Sequence, residues 1–429
     1  MKYRVLVLPC GSEIGLEINN ALKYSTHVEL FGASSVPNHG KYVYANYIEG
    51  LPNVESSEFI EKLNYIVKKH KIDMIFPAHD SVVLKLAQNR SDIACKIIGS
   101  SVETCEICRS KLKTYELFSK FIKVPHVYTD AETPQKFPVF LKPDVGQGSR
   151  GTYVANSLEE IEFYKAKDQS LLVLEFLPGK EYTIDCFTDK DGVLKFVGAR
   201  QRARISNGIS VNTFPVVELI YREIAEKINS RLVFRGMWFF QLKIDEKGEL
   251  KLLEIAPRIA GSMALYRNLG VNFALLSIFD ALDLTVSIEY NKYAIEMDRA
   301  LFNRFYVDLI YQHVFVDFDD TIVLDDKINP SVMMFLFQCI NKGIKIHLLS
   351  RHNSRFHEDV ESVLKKYRIR EIFDTIIDVK LGNKKSDYIK EKSAIFIDDS
   401  YAERREVSDK LKIPVFEVSS LESLISWTR

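Results

Sequence analysis

Hydrophobic positions change their spacing twice along the chain, which divides it into three blocks that each contain short β-rich runs. In the first, residues 1–108, Tyr3–Pro9 (YRVLVLP) is a continuous apolar run of strand length. A glycine turn follows, and Ile14, Ile18 and Leu22 then recur at helical spacing. HVELFG at His27–Gly32 and DMIFP at Asp73–Pro77 read as further strands. Phe59, Leu63, Ile66 and Val67 mark the buried face of a helix over Phe59–His70. Unbroken apolar strands alternating with amphipathic helices predict a parallel α/β layer, since strands covered on both faces need no polar side. The connection over 34–56 holds Pro37 and Pro52 and reads as irregular surface chain.

The second block, residues 109–311, has longer strand-like runs: FPVFLK, LLVLEF, EYTIDCFTD, LKFVGARQ, MWFFQLKID and KLLEIAP. Asp189–Gly192 and Asp245–Gly248 are turn sequences between consecutive runs, so this block reads as an antiparallel α+β sheet. The third block, residues 312–429, returns to α/β alternation with VFVDFDDT, a helix carrying Met334, Phe337 and Ile340, then IKIHLLS and AIFIDD. No repeat of solenoid period is visible.

Composition removes whole classes. With 58 basic and 58 acidic side chains the formal charge is zero, which argues against binding a phosphate backbone non-specifically. Aromatic residues at 11% exclude a disordered chain. Six scattered cysteines (10, 95, 105, 108, 186 and 339) are too few for a disulfide framework; Cys105 and Cys108, one helical turn apart, read as small buried hydrophobes rather than half a zinc site. The amino-terminal apolar run is shorter than a signal or membrane segment, so a cytoplasmic protein with no membrane or nucleic-acid partner is expected. Gly11 and Gly15 lack the rest of a dinucleotide fingerprint and an acidic residue after the second strand, so a tight strand-to-helix turn explains them better than NAD.

Two constellations carry chemistry. In the first, a strand ends on Lys142 and runs into a loop with Gly146, Gly148 and Gly151. A lysine there can neutralise phosphate while glycines let backbone N–H groups approach its oxygens, although such loops are also plain turns. Downstream, Glu175 ends an apolar strand, Glu181 follows, Gln241 lies in WFFQLKID, and Glu254 precedes Arg258 in KLLEIAPRIAGS. Buried strand ends bearing carboxylates are costly unless a cation or partner meets them. Arg200, Arg202 and Arg204 alternate along one strand, giving either an anion-binding or a solvated face.

This order, preceded by Lys111 in SKLKTYELF, resembles the ATP-grasp superfamily over about residues 1–310, in particular its carbamoyl-phosphate-synthetase-like and amino-acid-ligase branches. The resemblance implies a Rossmann-like pre-ATP-grasp domain (1–108) and an ATP-grasp domain (109–311). It implies that Lys111 and Lys142 contact ATP phosphates under a loop including Gly146, Gly148 and Ser149. Glu175, Phe176 and Leu177 would face the adenine, and Glu181 the ribose. Gln241 and Glu254 would hold Mg²⁺, with Mn²⁺ as the alternative ion, and Arg258 would steady the transferred phosphoryl group. Loops of the first block, with His79 and Asp80, would lie near the second substrate. The family usually reads Glu-x-Asn before Pro-Arg; Ala256 stands in the third position here and cannot coordinate a cation.

In the second constellation, Asp317, Asp319 and Asp320 follow one apolar strand, Ser350 ends another, and Asp398 and Asp399 follow a third. In a parallel sheet these carboxyl ends converge on one crevice. Lys384 and Lys385 lie between the last two. The set Asp-x-Asp-x-Thr, Ser, Lys, Asp-Asp resembles the haloacid-dehalogenase (HAD) phosphatases over the third block (312–429), with gaps too short for a large cap, hence a capless HAD-like Rossmannoid domain. By this resemblance Asp317 is the nucleophile, Asp319 the acid/base, and Ser350 and Lys385, or alternatively Lys384, bind the phosphoryl group. Asp317, Asp319 (through its carbonyl), Asp398 and Asp399 would make the Mg²⁺ site. His347, His352 and His357 around Ser350 fit a surface or supporting role better than metal ligation.

Together the resemblances imply an ATP-dependent, ADP-forming ligase that joins a small-molecule carboxylate to an amine or thiol through an acylphosphate, fused to a phosphatase acting on a phosphorylated small molecule. Two alternatives stand beside it: an ATP-binding regulatory module with only the phosphatase active, and a carbamoyl-phosphate-synthase-like phosphotransfer enzyme. A homodimer would match the habit of ATP-grasp relatives.

Overall fold

In a computed structural model, which describes residues 2–129, 131–146, 148, 150–351 and 359–427, the chain separates into two compact units, residues 1–302 and 303–428. The first unit opens with β1 (Tyr3–Leu8), α1 (Glu13–Leu22), β2 (Val28–Ala33), β3 (Asn46–Ile48), α2 (Phe59–His70), β4 (Met74–Pro77), α3 (Asp80–Gln88) and β5 (Lys96–Ile97). The strands form one parallel sheet in the order β3-β2-β1-β4-β5. Val5–Leu8 are buried throughout, which is why this strand shows no polar alternation. The side chain of Ser12 caps α1 by accepting from the Gly15 N–H at 2.9 Å. A Cβ at Gly15 would come 2.5 Å from the Cys10 carbonyl, so this glycine serves close packing of helix on strand.

After α4 (Val102–Arg109) and α5 (Lys111–Phe118) comes a four-stranded antiparallel sheet. Its elements are β6 (Val127–Tyr128), β7 (Val139–Pro143), β8 (Tyr153–Ala155), α6 (Leu158–Lys167) and β9 (Leu171–Glu175), with strand order β6-β9-β7-β8. A six-stranded antiparallel sheet follows. It contains β10 (Glu181–Thr188), β11 (Leu194–Ser206), β12 (Ile209–Val216), α7 (Leu219–Asn229), β13 (Gly236–Ile244), β14 (Leu250–Ala256), α8 (Ala264–Asn268), α9 (Phe273–Ala281) and β15 (Met297–Asp298). The turns between β10 and β11 and between β13 and β14 form as their sequences predict. Asp189 Oδ1 accepts from the Asp191 and Val193 N–H groups, Asp245 Oδ1 from those of Lys247 and Glu249, and Gly192 and Gly248 take positive φ.

The sequence expectation divides this unit at 108/109. In the structure one core runs across that point, joining Val5, Ile18 and Met74 to Phe239, Leu265, Phe273 and Ile278. The second unit begins at Asn303, nine residues before the expected start at 312.

That second unit holds β16 (His313–Val316), a short hairpin of β17 (Val323–Leu324) and β18 (Lys327–Ile328), α10 (Pro330–Asn341), β19 (Lys345–Ser350), α11 (Val360–Lys366), β20 (Thr375–Asp378), β21 (Ala394–Ile397), α12 (Tyr401–Leu411) and β22 (Val415–Phe416). Its five-stranded sheet is parallel, in the order β20-β19-β16-β21-β22. Connections leave β16 in one direction and β21 in the other, so a crevice opens beyond the carboxyl ends of that central pair. On α10 the buried face is Val332, Phe335, Leu336 and Cys339, while Met334, Phe337 and Ile340 are exposed. The strict three-residue spacing of the latter set drifts around a 3.6-residue helix, whereas the buried set keeps to one side. Among the described residues no helix is long and apolar enough to cross a membrane.

Candidate functional site

In the first unit a cleft opens between the four-stranded and six-stranded sheets. Lys111, Lys142, Gly146, Gly148, Glu175, Phe176, Leu177, Glu181, Gln241 and Glu254, which come from five separate stretches of sequence, all line it. Ser149 lies outside the described residues. Lys142 is buried at the end of β7, where its Nζ donates to Tyr115 Oη at 2.8 Å, and Tyr115 donates in turn to the Leu253 carbonyl at 2.8 Å. No carboxylate pairs with Lys142 among the described residues. Burial, and then the charge of Lys111, push its ammonium down to about 7. Burial lowers Lys111 as well. Two cations kept short of counter-ions in one cleft make a site that an anion would relieve.

Opposite them, Gln241 on β13 and Glu254 on β14 are register partners, which brings an amide and a carboxylate side by side. Ala256 pairs with Phe239 and is buried in the core. Glu181 is held by Arg202 at 3.1 Å and Lys243 at 3.6 Å, and Glu175 by Lys251 at 3.4 Å and the His126 N–H at 3.1 Å.

Arg258 lies apart from these groups. It lines a smaller cavity that shares Lys111, Gly146, Gly148 and Glu254 with the cleft and adds Asp80, Arg109, Cys105 and Cys108. There Arg258 grips Asp80 with two hydrogen bonds, Nε to Oδ1 at 2.5 Å and Nη2 to Oδ2 at 2.8 Å. Burial alone would raise the Asp80 carboxyl, but the guanidinium outweighs it and holds the group below its ordinary range.

Several contributors escaped sequence reading. Asp144 ties the glycine loop to α5: its carboxylate accepts from Ser110 Oγ at 2.8 and 3.0 Å and from the Leu112 N–H at 2.8 Å, and its carbonyl accepts from Lys111 Nζ at 3.1 Å. Arg109 donates to the Gly146 carbonyl at 3.1 Å. Asp144→Ala is expected to destabilise the first unit by about 1–2 kcal/mol, the cost of losing a helix-terminus acceptor. The urea midpoint of the full chain reads that loss.

The alternating arginines each meet a carboxylate. Arg200 is buried on Asp185 through bonds of 2.8 and 3.1 Å, Arg202 pairs with Glu181 inside the cleft, and exposed Arg204 meets Asp298 at 2.7 Å.

In the second unit, the strand ends meet as the parallel topology requires. Lys385 Nζ bridges Asp317 Oδ1 and Asp398 Oδ2, each at 2.6 Å, and all three are buried. Asp317, Asp398 and Asp399 bring carboxylate oxygens within 4.8 Å of one another, a donor set that suits a hard divalent cation. Burial pushes the Asp317 carboxyl up to about 7, Lys385 opposing and Asp398 adding to the shift. Burial raises Asp398 too. Ser350 Oγ is buried at the end of β19 and has no hydrogen-bond partner among the described residues. The Asp319 side chain does not join the three carboxylates; it is half-buried at a bridge to Val323. Lys384 is exposed, 3.9 Å from Glu406, so Lys385 is the lysine in the cluster. His347 is buried, stacked on Phe315 and hydrogen-bonded to His313 at 3.0 Å; His352 and His357 lie outside the described residues.

Residues 167–301 match the family described as ATP-grasp in the biosynthetic pathway with Ter operon. The chain is 30% identical over 172 residues to D-alanine–D-alanine ligase of Fusobacterium nucleatum subsp. nucleatum, covering 37% of this chain and 60% of that protein. It is 26% identical over 219 residues to the carbamoyl phosphate synthase large chain of Clostridium botulinum, covering 46% of this chain and 20% of that one. The chain thus spans less than two thirds of either curated relative. Among solved structures, N5-carboxyaminoimidazole synthetase from Staphylococcus aureus complexed with ADP superposes with a TM-score of 0.58 at 17% identity, over 70% of this chain and 83% of that one. The biotin carboxylase domain of Hydrogenobacter thermophilus 2-oxoglutarate carboxylase, with MgADP and bicarbonate, gives 0.56 at 16%, over 68% and 71%. The cleft between two antiparallel sheets and the parallel sheet ahead of it are the fold that the first unit shares with these solved structures, and residues 167–301 within it are similar to the ATP-grasp family.

Proposed function

We propose that the first unit is an ATP-dependent ligase that activates a small-molecule carboxylate as an acylphosphate, releases ADP, and passes the acyl group to an amine. One observation carries this reading. Lys111, Lys142 and the glycine loop share a cleft with the Gln241–Glu254 pair, so a polyphosphate chain fits between cationic and cation-binding walls. Lys142 and Lys111 would neutralise the phosphates, Gly146 and Gly148 let backbone donors close over them, and Glu175, Phe176 and Leu177 line the place for the base, with Glu181 for the ribose. Gln241 and Glu254 fit Mg²⁺, which takes oxygen ligands from one or two protein groups plus phosphate. Bound there, the ion would neutralise charge developing on the transferred phosphoryl group. Ala256 offers no ligand, so this wall supports one ion better than two. Arg258, held rigid by Asp80 next to the phosphate end of the cleft, would orient that group. The test is ADP release with Mg²⁺ and a panel of carboxylates paired with amines. Absence of ADP formation from folded, ATP-binding protein would leave a nucleotide-sensing module, the reading that Ala256 favours.

The second unit we read as a phosphomonoesterase, on the strength of the Asp317–Lys385–Asp398 cluster at its topological crevice. Asp317 would attack phosphorus and form an aspartyl-phosphate as the alcohol leaves, with Asp319 supplying the proton and later activating water. Ser350 and Lys385 would hold the phosphoryl oxygens. Mg²⁺ at Asp317, Asp398 and Asp399 would screen the carboxylates from the incoming phosphate.

Lys142 gives the ligase reading a pH signature. Its folded-state ammonium lies near 7 against an ordinary 10.5, so at pH 8 it is largely neutral in the empty cleft. Phosphate oxygens restore the charge, so ATP binding should take up about one proton at pH 8 and about none below pH 6. Titration calorimetry in buffers of different ionisation enthalpy measures that uptake, and Lys142→Met should abolish it.

A further inference from the structure

A cavity of about 360 Å³ lies elsewhere in the first unit, between β5 with its following loop and the end of α9, and shares no lining residue with the phosphate cleft or its neighbour. Three cations face it. Arg235 is paired with Asp280 at 2.9 Å and Asp283 at 2.6 Å, and Lys96 lies 3.6 Å from Asp283. The third, Arg90, meets carbonyls among the described residues: Nη1 donates to Ile97 O at 3.1 Å, and Nη2 to Gly99 O at 3.3 Å and Ser100 O at 3.0 Å. No carboxylate pairs with it among the described residues. Three cations against two carboxylates leave one positive charge in excess, and it sits on the Arg90 guanidinium.

A second observation points to the same spot. Ser277 on α9 lines the cavity and is 1% exposed, yet its hydroxyl has no hydrogen-bond partner among the described residues. Buried hydroxyls without partners are rare in folded proteins because burial costs them their hydration. Facing Ser277 is Gly236 at φ +78°, where a Cβ would come 3.1 Å from the hydroxyl; the glycine keeps that space open. The remaining wall contains Ile97, Ile98 and Ala281, which suits an apolar body behind a charged head.

We propose that this cavity is a binding site for a small organic anion, a carboxylate or phosphate monoester whose oxygens take hydrogen bonds from Arg90 and Ser277. A guanidinium donates a charge-assisted hydrogen bond to either head group. The site stands on its own residues and does not depend on the ligase reading.

The test is calorimetric titration of the full chain with butyrate, glycerol phosphate and inorganic phosphate, and with butyramide as the uncharged control. Saturable binding of butyrate or glycerol phosphate, but not of butyramide, is expected; which of the two binds identifies the head group. Binding should persist in Lys142→Met, whose defect lies in the other cleft. It should weaken about tenfold or more in Arg90→Gln, the worth of a charge-assisted hydrogen bond, and severalfold in Ser277→Ala. Ser277→Ala breaks no hydrogen bond among the described residues, so it reports even if Arg90→Gln fails to fold. No saturable anion binding, equal binding of butyramide, or affinity unchanged in Ser277→Ala would overturn the proposal. Loss of all binding in Lys142→Met would assign the anion to the phosphate cleft and overturn it equally.

Discussion

Replacing Lys142 with methionine is expected to weaken Mg·ATP binding by between about thirtyfold and several thousandfold, the range for removing one partner of a desolvated charge pair. The same change should make the empty protein more stable. Among the described residues Lys142 is an ammonium buried without a carboxylate, donating to Tyr115 and, at 3.4 Å, to the Leu253 carbonyl. Tyr115 keeps its own bond to Leu253 when the lysine is gone. Because the folded-state pKa is lowered, to about 7 from 10.5, the penalty is full below pH 7 and fades as pH rises toward 10.5. The stability gain in Lys142→Met should follow the same course, largest at pH 6 and small at pH 10. Thermal denaturation with and without Mg·ATP reads both effects. A variant that loses binding and stability together would make Lys142 a structural prop rather than a phosphate ligand.

For the second unit, Asp317→Asn is expected to lower phosphomonoester hydrolysis by at least about a thousandfold, the usual consequence of removing a nucleophile, while ADP formation by the first unit stays within twofold. The fold should tolerate it. The cluster sets two buried carboxylates against one lysine, and asparagine removes the surplus negative charge while nearly preserving shape. Phosphate release from a generic aryl phosphate and ADP release, measured on one preparation, separate the two. Parallel loss of both would contradict independent chemistry in the two units; retention of hydrolysis would remove Asp317 from the reaction.

Groups at strand ends were legible in the sequence because the signal is local. An apolar run that stops on Lys142, Glu175, Asp317 or Asp398 declares both the strand and the side chain at its mouth. Parallel topology then supplies the convergence of Asp317 with Asp398. What escaped was non-local or lacked an apolar signal. Strand β12 (Ile209–Val216) alternates weakly and holds Asn212 and Pro215, so nothing marked it as the partner of β11. The acid that each arginine chooses lies far along the chain, Asp80 being 178 residues from Arg258. Asp144 looked like an ordinary loop residue until the fold brought Ser110 and Leu112 to it. On α10 the helix itself was legible from its apolar residues, but which of them face the core was not: Val332, Phe335, Leu336 and Cys339 are buried, and Met334, Phe337 and Ile340 are exposed.

Three arginines near the end of the first unit find acids near its beginning: Arg258 with Asp80, Arg267 with Glu17, and Arg299 with Glu13. A gene split near residue 100 would therefore yield an amino-terminal fragment with three orphaned acids and a remainder with three orphaned bases. Neither half should accumulate when produced alone. Co-expression should rescue both, as mutual chaperones matched by charge.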